Sequence, residues 1–154
     1  MAKNQIVAGV DSSTQSVKVL LCDIETGEIK KTITRPHPDG TEVDPIHWLN
    51  ALEDALDEAT NYAEISAIAI GGQQHGMVLL DSNGEVIRPA LLWNDTRSDK
   101  TAEALNAEFP EIAKLTGSQL VASFTAAKVR WVAENEPENI AKVAAICLPH
   151  DRLS

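Results

Sequence analysis

The stretch VAGVDSSTQSVKVLLCDI, residues 7–24, decides which fold the chain can adopt. Two runs rich in valine, isoleucine and leucine, residues 6–13 and 16–25, have the composition of β-strands and are separated by a short polar turn. A third run, residues 28–36, follows the turn ETGE and alternates as a half-exposed strand does. The sequence therefore predicts an antiparallel meander of three strands.

The turn between the first two strands carries Asp11 and then SSTQS, residues 12–16, where a plain hairpin would favour Asn-Gly or Asp-Gly. Backbone N–H groups in a tight turn, with serine and threonine hydroxyls beside them, can surround phosphate oxygens. A carboxylate at a strand end can hold a hydrated Mg²⁺. The alternative is an Asx-turn that only stabilises the hairpin, and local physics alone favours that alternative.

An amphipathic helix is predicted next, with Asp44 as its N-cap and Pro45 at its first position. Its apolar residues recur at spacings of three and four, as one face of a helix requires: Ile46, Leu49, Leu52, Leu56 and Ala59. Residues 65–74 are then apolar without alternation, which is typical of a strand covered on both faces.

The second half of the chain predicts a hairpin over residues 77–93, with its turn at Ser-Asn-Gly. Helices are expected over residues 97–109 and 125–135 and from Pro137, followed by a last, core strand at residues 143–148. The order β-β-β-α-β-β-β-α-α-α-β indicates an α/β fold with a mixed sheet.

Composition limits the function further. The chain has 154 residues, 44% of them apolar, and a formal net charge of −10 without a Lys/Arg run, which argues against nucleic acid as a partner. No apolar run is long enough to span a membrane and the first residues are polar, so a cytoplasmic protein is expected. Cys22 and Cys147 lie in apolar runs, which predicts buried hydrophobes rather than zinc ligands or a disulfide.

The stretch GGQQHG, residues 71–76, ends the apolar run that is predicted as a strand. Its glycines would let a ligand approach the backbone, and Gln74 and His75 could hydrogen-bond a polyol. A loop that merely contains a hydrogen-bonded histidine is an equally good interpretation of the same residues.

The stretch WNDTR, residues 93–97, stands where a strand gives way to a helix. Trp93 could pack against the carbon face of a sugar, while Asp95 and Arg97 could pair and fix the turn. A plain N-cap role for Asn94 or Asp95 is the alternative, and for those atoms it is favoured.

The other polar residues have simpler interpretations. Lys128 is predicted to be a solvated helix lysine, and Trp131 a core anchor of the same helix. The remaining histidines have no partners at ligand spacing and are expected to be surface or capping residues: His37, His47 and His150.

Three stretches, residues 9–23, 71–98 and 123–153, together resemble the FGGY family of carbohydrate kinases, in the family's order. Residues 123–135 fit the family's first signature, with a threonine, then Lys128, Trp131 and a final Glu-Asn. The resemblance implies a ribonuclease-H-like fold of the actin and hexokinase type. Residues 1–154 would form the amino-terminal part of the first domain, without the carboxy-terminal nucleotide-binding domain.

The resemblance also implies an activity, the ATP-dependent transfer of the γ-phosphate to a sugar hydroxyl. D-xylulose, phosphorylated at its 5-hydroxyl, is the expected acceptor; ribulose or gluconate, or a non-catalytic sugar-sensing module, are the alternatives. The expected partners are a small sugar and ATP with Mg²⁺, with no nucleic acid or membrane, and a homodimer is the candidate assembly. The family's catalytic base is expected beyond Ser154, so the chain alone is expected to be inactive.

By position, the resemblance implies that Asp11 holds Mg²⁺ through water. The implied phosphate-binding residues are Asp11, Ser12, Ser13, Thr14 and Lys18, and the implied sugar-binding residues are Gln74, His75, Trp93 and Asp95. Two positions depart from the family's pattern: Ser13 replaces a usual glycine, and Gln74 replaces the methionine of many members that act on xylulose. Glycerol kinases carry an Arg-Glu pair at residues 74–75, which argues against glycerol.

Overall fold

The computed structural model of the chain describes residues 5–154, which divide into two compact units. The first unit contains the described residues up to Asp39, Ile46–Gln73 and Leu153–Ser154; the second contains Gly40–Pro45 and Gln74–Arg152. In chain order the elements are β1 (Ile6–Ser12), β2 (Ser16–Asp23), β3 (Ile29–Pro36), β4 (Glu42–Val43), α1 (Ile46–Tyr62), β5 (Ile65–Gly72), β6 (Val78–Leu80), β7 (Ala90–Leu91), α2 (Asp99–Glu108), α3 (Ile112–Thr116), α4 (Thr125–Asn135), α5 (Pro137–Ile140), β8 (Ala145–Cys147) and α6 (Pro149–Leu153).

The first unit is built on a four-stranded sheet in the order β3-β2-β1-β5. β1 and β3 both pair antiparallel with β2, which confirms the predicted meander. β5 pairs parallel with β1 after the chain has passed through α1, so the sheet is mixed, as the sequence predicted.

The core of this unit lies between the sheet and α1. β1 and β2 alternate along their length, and their register places Ala8 beside Leu21 on the buried face. The predicted helix is confirmed, and Leu52 and Ala59 of its predicted apolar face are buried, but Ile46 is 46% exposed. The residues that α1 buries lie four, three and four positions apart, at Trp48, Leu52, Ala55 and Ala59.

The prediction that the residue 65–74 strand is covered on both faces is wrong for this chain. Among residues 5–154, β5 is the edge strand of the sheet and pairs with β1 alone, while α1 packs against β2 and β3. Ile68 on β5 is therefore 48% exposed among the described residues, and the alanines beside it are exposed as well. A continuous apolar run shows that a strand is present, but not which of its faces is covered.

The second unit contains two small sheets and most of the helices. β4 pairs with β7 and β6 pairs with β8, both antiparallel. Met77, Leu79, Leu91 and Val132 form its buried apolar cluster. α4 packs against α2 and α5, so the helices predicted in this half are confirmed.

The hairpin predicted over residues 77–93 forms only in part. Its turn is present, since Asp81 Oδ1 accepts the N–H groups of Asn83 and Glu85 and Gly84 has a φ of 79°. The returning arm meets the first arm at isolated bridges, Val86 with Leu80 and Leu91 with Met77, and β7 also pairs with β4. Pro89 interrupts that arm, and proline has no N–H to donate to a strand ladder.

The last strand is present as β8, but it is not a core strand. Ile146 is 45% exposed, and α6 follows directly, a helix that the sequence did not predict. Cys22 and Cys147 are half-buried rather than fully buried, and burial raises the pKa of the Cys147 thiol. Within residues 5–154, no helix is both long enough and apolar enough to cross a membrane.

Candidate functional site

The turn of residues 12–16, called the first turn below, joins β1 to β2 in the first unit. The Ser13 N–H donates to the Ser16 carbonyl at 3.0 Å, and the Ser13 hydroxyl donates to the same oxygen at 3.2 Å. The φ of Ser13 lies outside the left-handed region, so a serine fits where the family usually has glycine. The turn is therefore compact and unstrained at this position.

Asp11 and Lys18 stand opposite each other where β1 and β2 lead into the first turn. Both residues are exposed, and Gly71 is the partner of Asp11 on β5. Ser12, the next residue of β1, faces the other way and is 2% exposed. A carboxylate and an ammonium group thus share an open sheet face, bordered by a residue without a side chain.

His37 holds the first turn from one side, so of its two predicted roles, surface or capping residue, the surface position is wrong. Its side chain is only 6% exposed, and its ring Nδ1 lies 2.9 Å from the Ser13 carbonyl oxygen. The backbone N–H of His37 donates to the Gln15 carbonyl at 2.8 Å. Burial lowers the pKa of His37, although hydrogen bonds with the backbone at Ser13 and Thr14 oppose that shift.

Gln73 holds the first turn from the end of β5. Its backbone N–H donates to the Ser12 carbonyl at 2.9 Å, and the Thr14 hydroxyl donates to its Oε1 at 3.4 Å. Sequence reasoning missed both His37 and Gln73, because neither lies near the turn in the sequence.

His75 belongs to the second unit and has a φ of 62°, in the left-handed region. The Thr125 hydroxyl donates to the His75 carbonyl at 3.2 Å, and the imidazole stacks on Phe124 with ring centroids 4.7 Å apart. Among residues 5–154, no side chain or backbone group hydrogen-bonds the ring nitrogens. Gln74 beside it is exposed and His75 is half-buried, so each side chain keeps some surface that a ligand could contact.

The turn of residues 93–97, called the second turn, is organised around the buried carboxylate of Asp95, which is 4% exposed. Its Oδ1 accepts the Arg97 N–H and Nε at 3.0 and 2.8 Å. Its Oδ2 accepts the Thr41 hydroxyl at 2.8 Å and Arg97 Nη2 at 2.9 Å. Burial would raise the pKa of Asp95, but these hydrogen bonds and the charge of Arg97 hold it below its ordinary value.

The predicted Asp95–Arg97 pair is therefore confirmed, and the favoured N-cap interpretation of this stretch is wrong. α2 begins at Asp99 with Ser98 as its N-cap residue. Asn94 instead reaches the Gly40 carbonyl with its side-chain amide, at 3.5 Å.

Arg97 also connects the second turn to residues outside it. Its Nη2 donates to Glu42 at 2.6 Å, and Glu42 also pairs with the buried Arg88. The Arg97 guanidinium lies 5.2 Å from the centre of the Trp131 ring, which is half-buried at the edge of the Met77 cluster. Trp93 at the start of this braced turn is 49% exposed, a position from which an indole can contact a ligand.

Lys128 is fully buried, so the prediction of a solvated helix lysine is wrong. Its Nζ donates to the Ala122 carbonyl at 2.5 Å, and the buried Ser98 hydroxyl donates to the same oxygen at 3.0 Å. Burial lowers the pKa of Lys128 to about 8, and only the charge of Asp95 opposes that shift. The buried amine of Lys128 thus fixes the segment before α4.

The residues beside the first turn fit a metal ion that is held mainly by water and phosphate. Within the part of the chain that the structure describes, no group of three or more His, Cys, Asp or Glu side chains could cage an ion. Mg²⁺ bound to a nucleotide keeps several waters and needs one or two carboxylates. Asp11, exposed at the end of β1, is a carboxylate of that kind.

Comparisons with known proteins agree with this architecture. Residues 6–154 match the family described as "FGGY family of carbohydrate kinases, N-terminal domain". The chain is 45% identical to the xylulose kinase of Streptomyces rubiginosus, over 99% of this chain and 34% of that protein. It is 38% identical to the xylulose kinase of Escherichia coli (strain K12), over 94% of this chain and 32% of that protein.

A solved structure shows the same fold. The crystal structure of xylulose kinase from Bifidobacterium adolescentis superposes with a TM-score of 0.92 at 49% identity, covering 97% of this chain and 33% of that one. The chain thus spans about a third of the length of the relatives it matches.

Proposed function

The chain belongs to the FGGY family of carbohydrate kinases, and we propose that it is the amino-terminal part of an ATP-dependent kinase for D-xylulose. The proposed reaction transfers the γ-phosphate of ATP to the 5-hydroxyl and gives D-xylulose 5-phosphate. The observation that carries the proposal is the 45% identity, through 99% of this chain, to a protein named xylulose kinase. A cytoplasmic location goes with it, because ATP is supplied there.

The first turn is the proposed phosphate site. Backbone N–H groups of the turn would surround phosphate oxygens, as a tight turn of small polar residues can. The hydroxyls of Ser13 and Thr14 donate to Ser16 and Gln73 in this structure, so each would rotate away from that partner to donate to a phosphate. Lys18 would add a positive charge from the exposed face, and Asp11 would hold Mg²⁺ through water. Bound Mg²⁺ neutralises the charge of the phosphate oxygens during transfer. Ser12 would contribute through its backbone, since its side chain is buried.

The second unit carries the proposed sugar site. Gln74 and His75 would hydrogen-bond sugar hydroxyls, because both side chains are accessible and the His75 ring is oriented by Phe124. Trp93 would cover a carbon face of the sugar. Asp95 belongs to the site as the support of Trp93, since Thr41 and Arg97 already engage both of its oxygens.

The proposal places the remaining parts of the enzyme outside this chain. Phosphoryl transfer needs a carboxylate to accept the hydroxyl proton as well as an adenosine pocket. No aspartate here is assigned the role of base, and Asp11 is unsuited because a metal-facing carboxylate is a poor proton acceptor. The base and the nucleotide-binding domain are therefore assigned to later residues of a longer protein, and the 154-residue chain alone is expected to be inactive.

The proposal is tested by a coupled ATPase assay on the full-length protein with a panel of D-xylulose, ribulose, gluconate and glycerol. Turnover that is fastest with D-xylulose supports it, and turnover with another sugar identifies a different kinase of the family. No turnover with any sugar would support the non-catalytic module. Light scattering on the same preparation tests whether the protein is a homodimer.

His75→Ala sharpens the test of the sugar site. We expect the KM for the sugar to rise about tenfold, because one hydrogen bond and its orientation are lost, while the sugar-independent ATPase stays nearly intact. The control is His47→Ala, an exposed histidine on α1 that should change neither value. An equal loss of both activities in His75→Ala would show that His75 is structural.

A further inference from the structure

His37 is a buried side chain in direct contact with the proposed phosphate site, and no part of the proposed reaction uses it. It follows β3 in the sequence, yet its ring and its backbone N–H reach Ser13 and Gln15 in the first turn. Its other ring nitrogen, Nε2, is buried and has no hydrogen-bond partner within residues 5–154. The two ring nitrogens therefore have different surroundings.

These surroundings select one tautomer. The Ser13 carbonyl can only accept a hydrogen bond, so Nδ1 must carry the hydrogen that lies between them. A second hydrogen on Nε2 would create a buried charge and an unpaired donor, both of which are costly. The favoured form is the neutral ring with its hydrogen on Nδ1.

The charged neighbours do not favour the imidazolium. His37 lines a pocket of about 420 Å³ with Arg35, His47 and Asp54 among the other lining residues. Arg35 is paired with Asp54 and, through Nη2 at 2.7 Å, with Glu58. The carboxylate that lines the pocket, Asp54, is therefore already paired with a guanidinium.

We propose that His37, as the neutral Nδ1–H tautomer, is a positioning residue that fixes the first turn in the shape that receives the nucleotide phosphates. The inference rests on the proposed phosphate-binding role of that turn. The hydrogen bond from the His37 ring to the Ser13 carbonyl fixes the plane of the peptide group between residues 13 and 14. The direction of the Thr14 N–H is fixed with it. His37 does not touch the phosphates and takes no part in proton transfer.

Two substitutions separate the positioning role from simple packing. In His37→Asn the side-chain amide nitrogen overlays Nδ1 and can still donate to Ser13, although the side chain is smaller. In His37→Gln the amide nitrogen overlays Nε2 instead, so the volume is better kept but the donor is displaced. If His37 acts only through packing, His37→Asn should show the faster hydrogen exchange of the first turn and the higher KM for ATP. If His37 positions the turn, His37→Gln should show both. His47→Gln is the matched control, exposed on α1 and without a hydrogen bond to the first turn in the described residues.

The test uses the full-length protein and three measurements. Ring ¹⁵N chemical shifts, with the His37 signal assigned by its loss in the variants, should show protonated Nδ1 and unprotonated Nε2 at pH 7. Hydrogen exchange of the peptide that covers residues 12–16 should be about tenfold faster in His37→Gln than in His37→Asn. The KM for ATP should also rise about tenfold in His37→Gln, with the KM for the sugar unchanged.

The outcomes distinguish this inference from the proposed function. Protonated Nε2, or unchanged exchange in His37→Gln, overturns the positioning role even if the protein is an active kinase. The same holds if both variants raise the KM for ATP and for the sugar equally. If the protein phosphorylates no sugar but the tautomer and exchange results hold, the proposed function fails while His37 still fixes the turn.

Discussion

The first and second turns look alike in the sequence and differ in the structure. Each places an aspartate at or just beyond the end of a strand, among small polar residues. Asp11 beside the first turn is exposed on an open sheet face. Asp95 in the second turn is 4% exposed, and its carboxylate accepts four hydrogen bonds from Thr41 and Arg97.

The difference indicates what each aspartate can do. An ionised carboxylate has about four acceptor positions, and the contacts of Asp95 occupy about that number. A ligand could bind Asp95 only by displacing Arg97 or Thr41, so this residue can support a site but is poorly suited to contact a substrate. Asp11 keeps its oxygens accessible and can bind a hydrated ion.

Asp11→Asn tests this contrast with the largest expected effect. We expect kcat for sugar phosphorylation in the full-length protein to fall about 100- to 1000-fold, because a charge that holds the metal is lost. The KM for the sugar should change less than threefold, since the amide keeps the size of the side chain. Steady-state kinetics at saturating Mg²⁺ would measure both values.

Asp81→Asn is the matched control, because Asp81 caps a turn with its Oδ1 and has no proposed catalytic role. Its kcat should stay within twofold of the wild type. A lower melting temperature with normal turnover in Asp11→Asn would mean that Asp11 is a turn cap like Asp81.

Asp95→Asn should act on stability rather than on chemistry. Replacing the carboxylate turns an amide N–H group toward Arg97, and we expect the free energy of unfolding to fall by about 3 kcal/mol at pH 7. The folded state lowers the pKa of Asp95, so its contribution is present above the ordinary value of 3.8 and is lost as the pH falls below it. Urea unfolding at pH 7 and pH 3 should show the difference between wild type and variant shrinking in acid.

Glu134→Gln provides the control for this comparison. Glu134 forms an exposed pair with Arg130 one helical turn away, and such pairs contribute at most about 0.5 kcal/mol. If Asp95→Asn is no more destabilising than this control, the bonds around Asp95 do not hold the second turn.

The longer elements of both units could be predicted from the sequence because their signals are local, whereas the short β4, α3 and α6 were not predicted. The meander follows from the composition of residues 6–36, and α1 follows from its helical spacing and its cap. The turn at Asp81–Gly84 follows from its Ser-Asn-Gly residues. The Asp95–Arg97 pair was predictable because its members are two residues apart.

Several of the failures depend on contacts that are distant in the sequence. His37 contacts Ser13 across 24 residues, and Thr41 contacts Asp95 across 54. The spacing of apolar residues in the sequence predicts neither contact. The exposure of β5 depends on which strands α1 covers, and a run of apolar residues does not contain that information. Lys128 was misjudged because a lysine is rarely buried and its partner is a backbone carbonyl.

Lys128 connects to this comparison because the negative charge of Asp95 opposes the effect of burial on its pKa. Its substitution has the smallest expected effect. The folded state lowers the pKa of Lys128 to about 8 from the ordinary 10.5, so an unfolded chain binds more protons between these values. Stability due to this group must therefore rise with pH across that window. The advantage of the wild type over Lys128→Met should grow by about 2 kcal/mol between pH 8 and pH 10 in urea unfolding. Lys100→Met, at an exposed position on α2, should show a difference that does not change over the same range. A constant difference for Lys128→Met as well would mean that its amine stays charged in the fold, and that the surroundings of the second turn hold an ammonium rather than a neutral amine.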